Sequence, residues 1–233
     1  MPRPGEVKIS DASLDVRAGE IVGIAGLVGC GKSELAQSCF GLREVTSGEI
    51  EVCGKTVRFS NPSEAIKSGL WYCPSDRKND GLVMNRSVRE NVALSSYAFG
   101  DLKSKWVNKG KETEVLQSLS ERMSIDVNKY DEPVASLSGG NQQKVLLAKS
   151  LVQEIDIFVL DEPTVGVDIG ACMSIYDHLS ELSLAGAAIL LVSSNLPELM
   201  GLTHRMLVMS EGKIVAEFKN NEYSEEQILE NFF

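Results

Sequence analysis

The sequence predicts an α/β fold with a mostly parallel sheet, a small antiparallel β portion and an inserted helical portion. Three observations predict it. Apolar runs of strand length alternate with helical segments along most of the chain. A polar, helix-period stretch from Ser87 to about Lys129 interrupts that alternation, within an expected helical subdomain of about 84–150. Hydrophobic residues make up 43% of the 233, enough for a real core, so 1–233 is expected to form one domain that carries the helical stretch as a subdomain.

Each element has its own signal. Glu20 to Ala25 reads as a short buried strand running into a glycine-rich turn. Lys32 to Phe40 follows as a helix closed by Gly41. Ser47 to Phe59 reads as a hairpin: Ile50 and Val52 alternate, Cys53-Gly54-Lys55 turns the chain, and Val57 and Phe59 return. Leu70 to Cys73 is a strand stopped by Pro74. From Ser87 to about Lys129 the pattern is helical, with Leu94, Val115, Leu116 and Leu119 as expected core contacts, and Asp131-Glu132-Pro133 ends it. Asn141 to Gln153 is a helix with Val145, Leu146, Ala148, Leu151 and Val152 at its apolar positions. Ile155 to Leu160 is a fully apolar strand, and Cys172 to Leu184 a helix broken by Ala185-Gly186. Ala188 to Val192 is a buried strand, and Met206 to Met209 pairs with Lys213 to Phe218 around Glu211-Gly212. Ser224-Glu225-Glu226-Gln227 fits a capping box at the start of a last helix.

Composition removes several function classes. No apolar run approaches the roughly 18 residues that cross a bilayer, so a membrane role is expected to be peripheral. Met1-Pro2-Arg3-Pro4 lacks the apolar stretch of a signal peptide. A formal charge of −10 with 6% aromatic residues argues against broad nucleic-acid binding. The five cysteines, Cys30, Cys39, Cys53, Cys73 and Cys172, are odd in number and lack C-x-x-C spacing. They read as reduced cytosolic thiols rather than a disulfide framework or a zinc site.

Gly26-Leu27-Val28-Gly29-Cys30-Gly31-Lys32-Ser33 fits the P-loop pattern G-x-x-x-x-G-K-[ST]. Glycines let the backbone fold so that several N–H groups point at one phosphate, and the following helix presents its positive end. Lys32 supplies a point charge for the β- and γ-phosphates of a nucleotide, and Ser33 a hydroxyl for Mg²⁺. Cys30 lies inside this loop. An alkylating reagent is expected to reach its thiol unless ATP covers it, although a small residue that merely fits the turn is the other reading.

The strand Ile155 to Leu160 ends in Asp161-Glu162. Ligands of open α/β sheets bind at the carboxyl ends of strands, so these acids are more than turn carboxylates when a P-loop is present. Asp161 is expected behind Mg²⁺ through water, and Glu162 as the general base for the attacking water. A second glycine pair opens a helix at Leu137-Ser138-Gly139-Gly140-Asn141-Gln142-Gln143-Lys144. Ser138 and the glycine amides make another anion-seeking helix start, or on their own a plain N-cap.

With these motifs in this order, the chain resembles the ABC ATPase family over nearly its whole length. Leu137 to Lys144 is similar to the family's signature, Asp161-Glu162 to its Walker B end and Gly166-Val167-Asp168 to its D-loop. A narrower resemblance rests on Ala25 to Gly29, Ser75-Asp76-Arg77-Lys78-Asn79-Asp80-Gly81-Leu82, Asn141 to Lys144, Asp161 to Thr164 and Val192 to Glu198. These stretches resemble the C-terminal ATPase half of bacterial importers for ribose, galactose or xylose, which carry two such domains in one polypeptide. Nucleoside and autoinducer-2 importers share that layout. The chain reads as one half of such a longer protein.

The resemblance implies the remaining assignments. ATP with Mg²⁺ would be held by Gly26 to Ser33 with Glu34, and Lys32 and Glu162 would be the catalytic groups. Ser138, Gly139, Gly140, Gln142, Asp168 and Ser194 would also face nucleotide. Ser138 to Gln142 would complete the site of a second ABC ATPase domain, through serine and glycine amides on the γ-phosphate. A transmembrane permease would be the direct partner and a periplasmic solute-binding protein an indirect one, with no nucleic acid. The place implied is cytoplasmic, peripheral at the inner face of the cell membrane. Departures from the pattern bear on turnover. The family's loop glutamine aligns with Ser75, where Asp76 is a candidate substitute. Its switch histidine aligns with Ser194, and no Phe, Tyr or Trp precedes Phe40 to stack on adenine. Slow hydrolysis in the chain's own site follows from these departures, with the partner's site doing most of the turnover. Arg77, Lys78 and Val83 to Asn91 are expected near the permease, or else form a solvated loop. Two other readings stay open. One is a soluble ABC ATPase acting on ribosomes or DNA, against which the Ser75 to Leu82 stretch and the lack of basic patches speak. The other is a non-hydrolysing module that uses nucleotide to hold a dimer together, which the missing histidine favours.

Overall fold

The computed structural model describes residues 7–99, 108–123, 125, 129–151, 155–220 and 224–232. In chain order the elements begin β1 (Ile21–Ala25), α1 (Lys32–Cys39), β2 (Ile50–Val52), β3 (Lys55–Val57), α2 (Pro62–Lys67) and β4 (Leu70–Cys73). Helices α3 (Val88–Phe99), α4 (Lys109–Met123) and α5 (Gly139–Leu151) follow, then β5 (Ile157–Asp161), α6 (Ile169–Leu184) and β6 (Ala188–Val192). The chain closes with α7 (Leu196–Leu202), β7 (Arg205–Ser210), β8 (Lys213–Lys219) and α8 (Glu225–Leu229). These elements fall into two compact units, Met1–Tyr72 with Asp156–Glu162 and Leu182–Phe233, and Cys73–Ile155 with Pro163–Glu181.

The first unit is built on a six-stranded sheet in the order β4-β5-β6-β1-β7-β8. Strand β1 runs parallel to both β6 and β7, and β5 runs parallel to β6. Strands β1 and β6 are buried at every residue, which is why they read as unbroken apolar runs. Edge strand β8 instead alternates exposed and half-buried positions and pairs antiparallel with β7. Register sets the functional edge. Ile24 and Asp161 both pair with Val192, so β1, β6 and β5 deliver their carboxyl ends side by side. Val22, Ile24, Leu35, Ala36, Phe40, Tyr72, Val159, Val192 and Met209 form one buried cluster in this unit. The small sheet β2-β3 is an antiparallel hairpin whose turn residues Cys53 and Gly54 both have positive φ, 51° and 76°. Such a turn matches the right-handed twist of its strands.

The second unit is helical. On α3 the buried residues are Val88, Asn91, Val92, Ala93, Ser95 and Ser96, all but Ala93 on one face spaced three and four apart. Leu94 falls off that face and is 56% exposed, which corrects its expected place in the core. Polar Asn91 takes a core position because its amide is satisfied: Nδ2 donates to the carbonyls of Val83, Arg86 and Ser87, and Oδ1 accepts from Val83 N. Leu116 and Leu119 of α4 are buried as expected, and Val115 is half-buried. Helix α5 begins at Gly139 rather than Asn141, because Ser138 Oγ accepts from Asn141 N at 3.4 Å. Helix α6 begins at Ile169 rather than Cys172, because Asp168 Oδ1 accepts from Ala171 N at 3.0 Å. In both cases a cap, not apolar spacing, sets the start. Met1 to Pro4, and Val152 and Gln153 of the expected α5, lie outside the described residues. Among the described residues no helix is long and apolar enough to cross a membrane.

Candidate functional site

The loop Gly26 to Ser33 leaves the carboxyl end of β1 and enters α1. Only glycine fits at Gly26, where a Cβ would lie 2.4 Å from Met209 O and 2.6 Å from Cys30 Sγ. Gly29 has φ of 83° and faces open space, for a Cβ there would meet nothing within 4 Å. Gly31 is the N-cap of α1 with φ of 109°, and no side chain caps the helix. Among the described residues, the amides of Gly29, Gly31, Lys32 and Ser33 meet no hydrogen-bond acceptor. Unpaired N–H groups at an open, uncapped helix start form an anion cradle.

Lys32 is 4% exposed, yet its ammonium is well satisfied. Its Nζ donates to Gly26 O at 3.2 Å and Leu27 O at 3.4 Å, and lies 3.4 Å from Glu162 Oε1. Asp161 is fully buried at the end of β5. Ser33 Oγ donates to its Oδ1 at 2.9 Å and Tyr72 OH to its Oδ2 at 3.0 Å. Burial pushes the Asp161 carboxyl above the usual carboxylate range, and the two hydroxyls pull against that. Glu162 turns the chain out of the strand with φ of 50°, its N donating to Val192 O at 2.8 Å. Its Oε2 accepts from Ser194 N at 3.1 Å, so Ser194 meets this site through its amide.

This constellation fits a phosphate tail with a divalent cation. Ser33 and Asp161 place two oxygen ligand types 2.9 Å apart beside the amide cradle. Among the described residues no cluster of three or more His, Cys, Asp or Glu is available to hold a metal. A cation bound here would therefore need phosphate and water oxygens to fill its shell, as Mg²⁺ does.

The signature residues belong to the second unit. Ser138 is exposed and caps α5, with Gly139 and Gly140 in the first turn. Both glycines are also demanded by packing. A Cβ on Gly139 would sit 2.5 Å from Gly166 O, and one on Gly140 2.4 Å from the Ala171 Cβ and 3.0 Å from Asp168 Oδ2. Gln142 differs from its expected nucleotide contact, for its side chain turns inward: Nε2 donates to Val134 O and Leu137 O, and Oε1 accepts from Arg77 Nε.

Three further expectations change. Cys30 is 7% exposed and part of the core cluster, so its thiol is packed rather than presented to solvent. Asp76 does not offer a free carboxylate in place of a glutamine. It accepts from Lys78 N, Asn79 N and Asn79 Nδ2, and these bonds, the Asn79 side chain first, hold its carboxyl below the usual range. Arg77 is not a loose, solvated loop residue, because its guanidinium binds the carbonyls of Val165 and Gly166. Tyr72 is the site residue that sequence reasoning missed. A buried tyrosine in an apolar strand needs a partner for its hydroxyl, and that need was its one available signal.

Known proteins share this architecture. Residues 9–165 match the family model described as ABC transporter. Over 237 residues the chain is 41% identical to the ribose import ATP-binding protein RbsA of Halalkalibacterium halodurans, covering 97% of this chain and 47% of that protein. Over 228 residues it is 42% identical to the ribose import ATP-binding protein RbsA 2 of Rubrobacter xylanophilus, covering 96% of this chain and 43% of that protein. The chain thus spans less than half the length of these curated relatives. Among solved structures, the ADP conformation of MJ1267, an ATP-binding cassette of an ABC transporter, superposes with a TM-score of 0.81 at 24% identity, over 95% of this chain and 90% of that one. A nucleotide-free ATP-binding cassette from an ABC transporter gives 0.79 at 24%, over 94% and 86%. At that identity the likeness concerns the fold. The family match over residues 9–165, on a P-loop and a strand-end acid pair joined as described, places this chain in the ABC transporter family, with the ATPase fold of its ATP-binding cassettes.

Proposed function

We propose that the chain binds and hydrolyses Mg-ATP to energise an importer for a sugar or a related small solute. The observation that carries the reading is the joined pair of contacts at the cradle, Ser33 to Asp161 and Lys32 to Glu162. In this reading the amides of Gly29 to Ser33 bind the phosphates, and Lys32 moves its charge onto the β- and γ-oxygens. Ser33 and Asp161 hold Mg²⁺, which neutralises phosphate charge when bound. Glu162 accepts a proton from the attacking water. Sugar import is supported by the relatives, which are ribose import ATP-binding proteins.

The domain acts as one cassette, 1–233, with residues of about 84–150 forming its helical subdomain. It pairs with a second ABC ATPase domain carried in the same longer polypeptide, as the greater length of the relatives suggests. It docks on a transmembrane permease at the cytoplasmic face of the membrane, and a periplasmic solute-binding protein supplies the solute. Two nucleotides are then served unequally. The chain's own site lacks an imidazole at Ser194 and turns over slowly, while Ser138 and the amides of Gly139 and Gly140, with Asp168 beside them, complete the faster site of the partner.

Calorimetry with millimolar Mg-ATP tests the first step. Binding by the wild type and its loss in Lys32→Ala are expected, and no heat with either protein overturns the reading. Phosphate release at high protein concentration separates an ATPase from a holding module. Co-purification with a permease, rather than with ribosomes or DNA, separates an importer component from a soluble ATPase.

A further inference from the structure

Arg77 lies outside the groups assigned above, yet its whole guanidinium is engaged within the second unit. Nη1 donates to Val165 O at 2.7 Å, Nη2 to Gly166 O at 3.2 Å and Nε to Gln142 Oε1 at 3.3 Å. The acceptors come from two segments, the loop that leads into α6 and the first turn of α5. Neither end is slack. Gln142 is itself held by Val134 O and Leu137 O. Arg77 opens a single π-helical turn, Arg77–Gly81, which Asp76 caps and which Lys149 Nζ ties at Gly81 O across 2.6 Å. Gly139 sits against the fork, for a Cβ there would approach Arg77 Nη2 to 2.9 Å and Gly166 O to 2.5 Å.

We propose that Arg77 is a positioning residue that locks the loop Val165 to Asp168 against the signature glycines Gly139 and Gly140. The Ser75 to Leu82 segment thereby sets the geometry with which this chain completes a partner's nucleotide site. A planar fork suits the task because two successive carbonyls and a side-chain oxygen are met by three nitrogens of fixed spacing, which a lysine ammonium cannot reproduce. The kinetic half of this inference rests on the ATPase reading above. The structural half does not.

The test compares wild type, Arg77→Ala and Arg77→Lys as full chains. Hydrogen exchange is followed at Val167, whose N donates to Thr164 O, at Ala171 and at Asn141, with the hydrogen-bonded amides of β1 and β6 as internal control. Both variants should exchange faster at Val167 and Asn141, with no change in β1 and β6. At saturating protein, kcat should fall at least tenfold in Arg77→Ala with KM within twofold, and Arg77→Lys should recover only part of it. A role confined to general stability would instead speed exchange everywhere and move KM. Wild-type exchange at Val167 in both variants overturns the proposal, as does full recovery of kcat by lysine. If the wild type shows no turnover, the ATPase reading falls, and exchange alone still decides the clasp. If Arg77→Ala does not fold, Arg77→Lys carries both measurements.

Discussion

Replacing Tyr72 with Phe removes one oxygen from behind the expected cation site and leaves the ring in place. The ring stacks on Phe40 with centroids 5.4 Å apart and an interplanar angle of 29°, and a phenylalanine keeps that contact. The hydroxyl donates to Asp161 Oδ2 at 3.0 Å, and Asp161 has no exposed surface through which water could take over. A hydrogen bond to a charged acceptor contributes about 2 kcal/mol, which for a chain of this size lowers the melting temperature by about 4–8 °C. The loss should depend on pH. The hydroxyl favours the ionised carboxylate, so its removal matters at neutral pH and fades in acid, where Asp161 is protonated with or without it. Scanning calorimetry of the nucleotide-free protein at both pH values measures the loss, and a double-mutant cycle with Asp161→Asn isolates the part of the bond that depends on the carboxylate charge. Equal melting temperatures for wild type and Tyr72→Phe at neutral pH would refute the reasoning, as would the same loss in the Asp161→Asn background.

Other changes test other parts of the site. Burial raises the Asp161 carboxyl above its unfolded value, so its contribution to stability is fullest below the unfolded pKa and is lost as pH rises through the folded one. Asp161→Asn should therefore melt above wild type at neutral pH, with the gap closing on acidification, and should bind Mg-ATP more weakly. The Ser33 and Tyr72 hydroxyls can turn to suit an amide, and thermal melts across pH check the outcome. Gly140→Ala forces a Cβ to within 2.4 Å of the Ala171 Cβ. Overpacking of that kind costs about 1–3 kcal/mol, and denaturant titration should show Ala171→Gly restoring part of it. Cys53 is exposed and Cys30 buried, so iodoacetamide should label Cys53 first and Cys30 only as the protein unfolds, by peptide mass mapping.

Much of the frame was written in local pattern. The wholly buried strands β1 and β6 read as apolar runs because helices and loops cover both faces of a parallel sheet. The P-loop was legible because phosphate binding constrains neighbouring residues in one short turn. The capping box was legible for the same reason: Ser224 Oγ accepts from Gln227 N, and Gln227 Oε1 from Ser224 N, across three residues. Helix starts at Gly139 and Ile169 were missed where apolar spacing was followed past the caps Ser138 and Asp168. Leu94 was misplaced because the buried face of α3 is half polar, and Asn91 is tolerated there only through partners as far away as Val83.

By itself, then, the amino-acid order determined the α/β class, the phosphate-binding loop and the pair of acids at a strand end. Only the tertiary structure decided which groups stand behind them. Ser33 and Tyr72 reach Asp161 across 128 and 89 residues, and Arg77 reaches Gly166 across 89. Such bonds leave no periodicity in the chain, because they depend on sheet order, strand register and the direction of a turn. A propensity or a spacing reports only what a residue's near neighbours require, whereas a buried carboxylate is satisfied by whatever the fold brings within 3.0 Å of it.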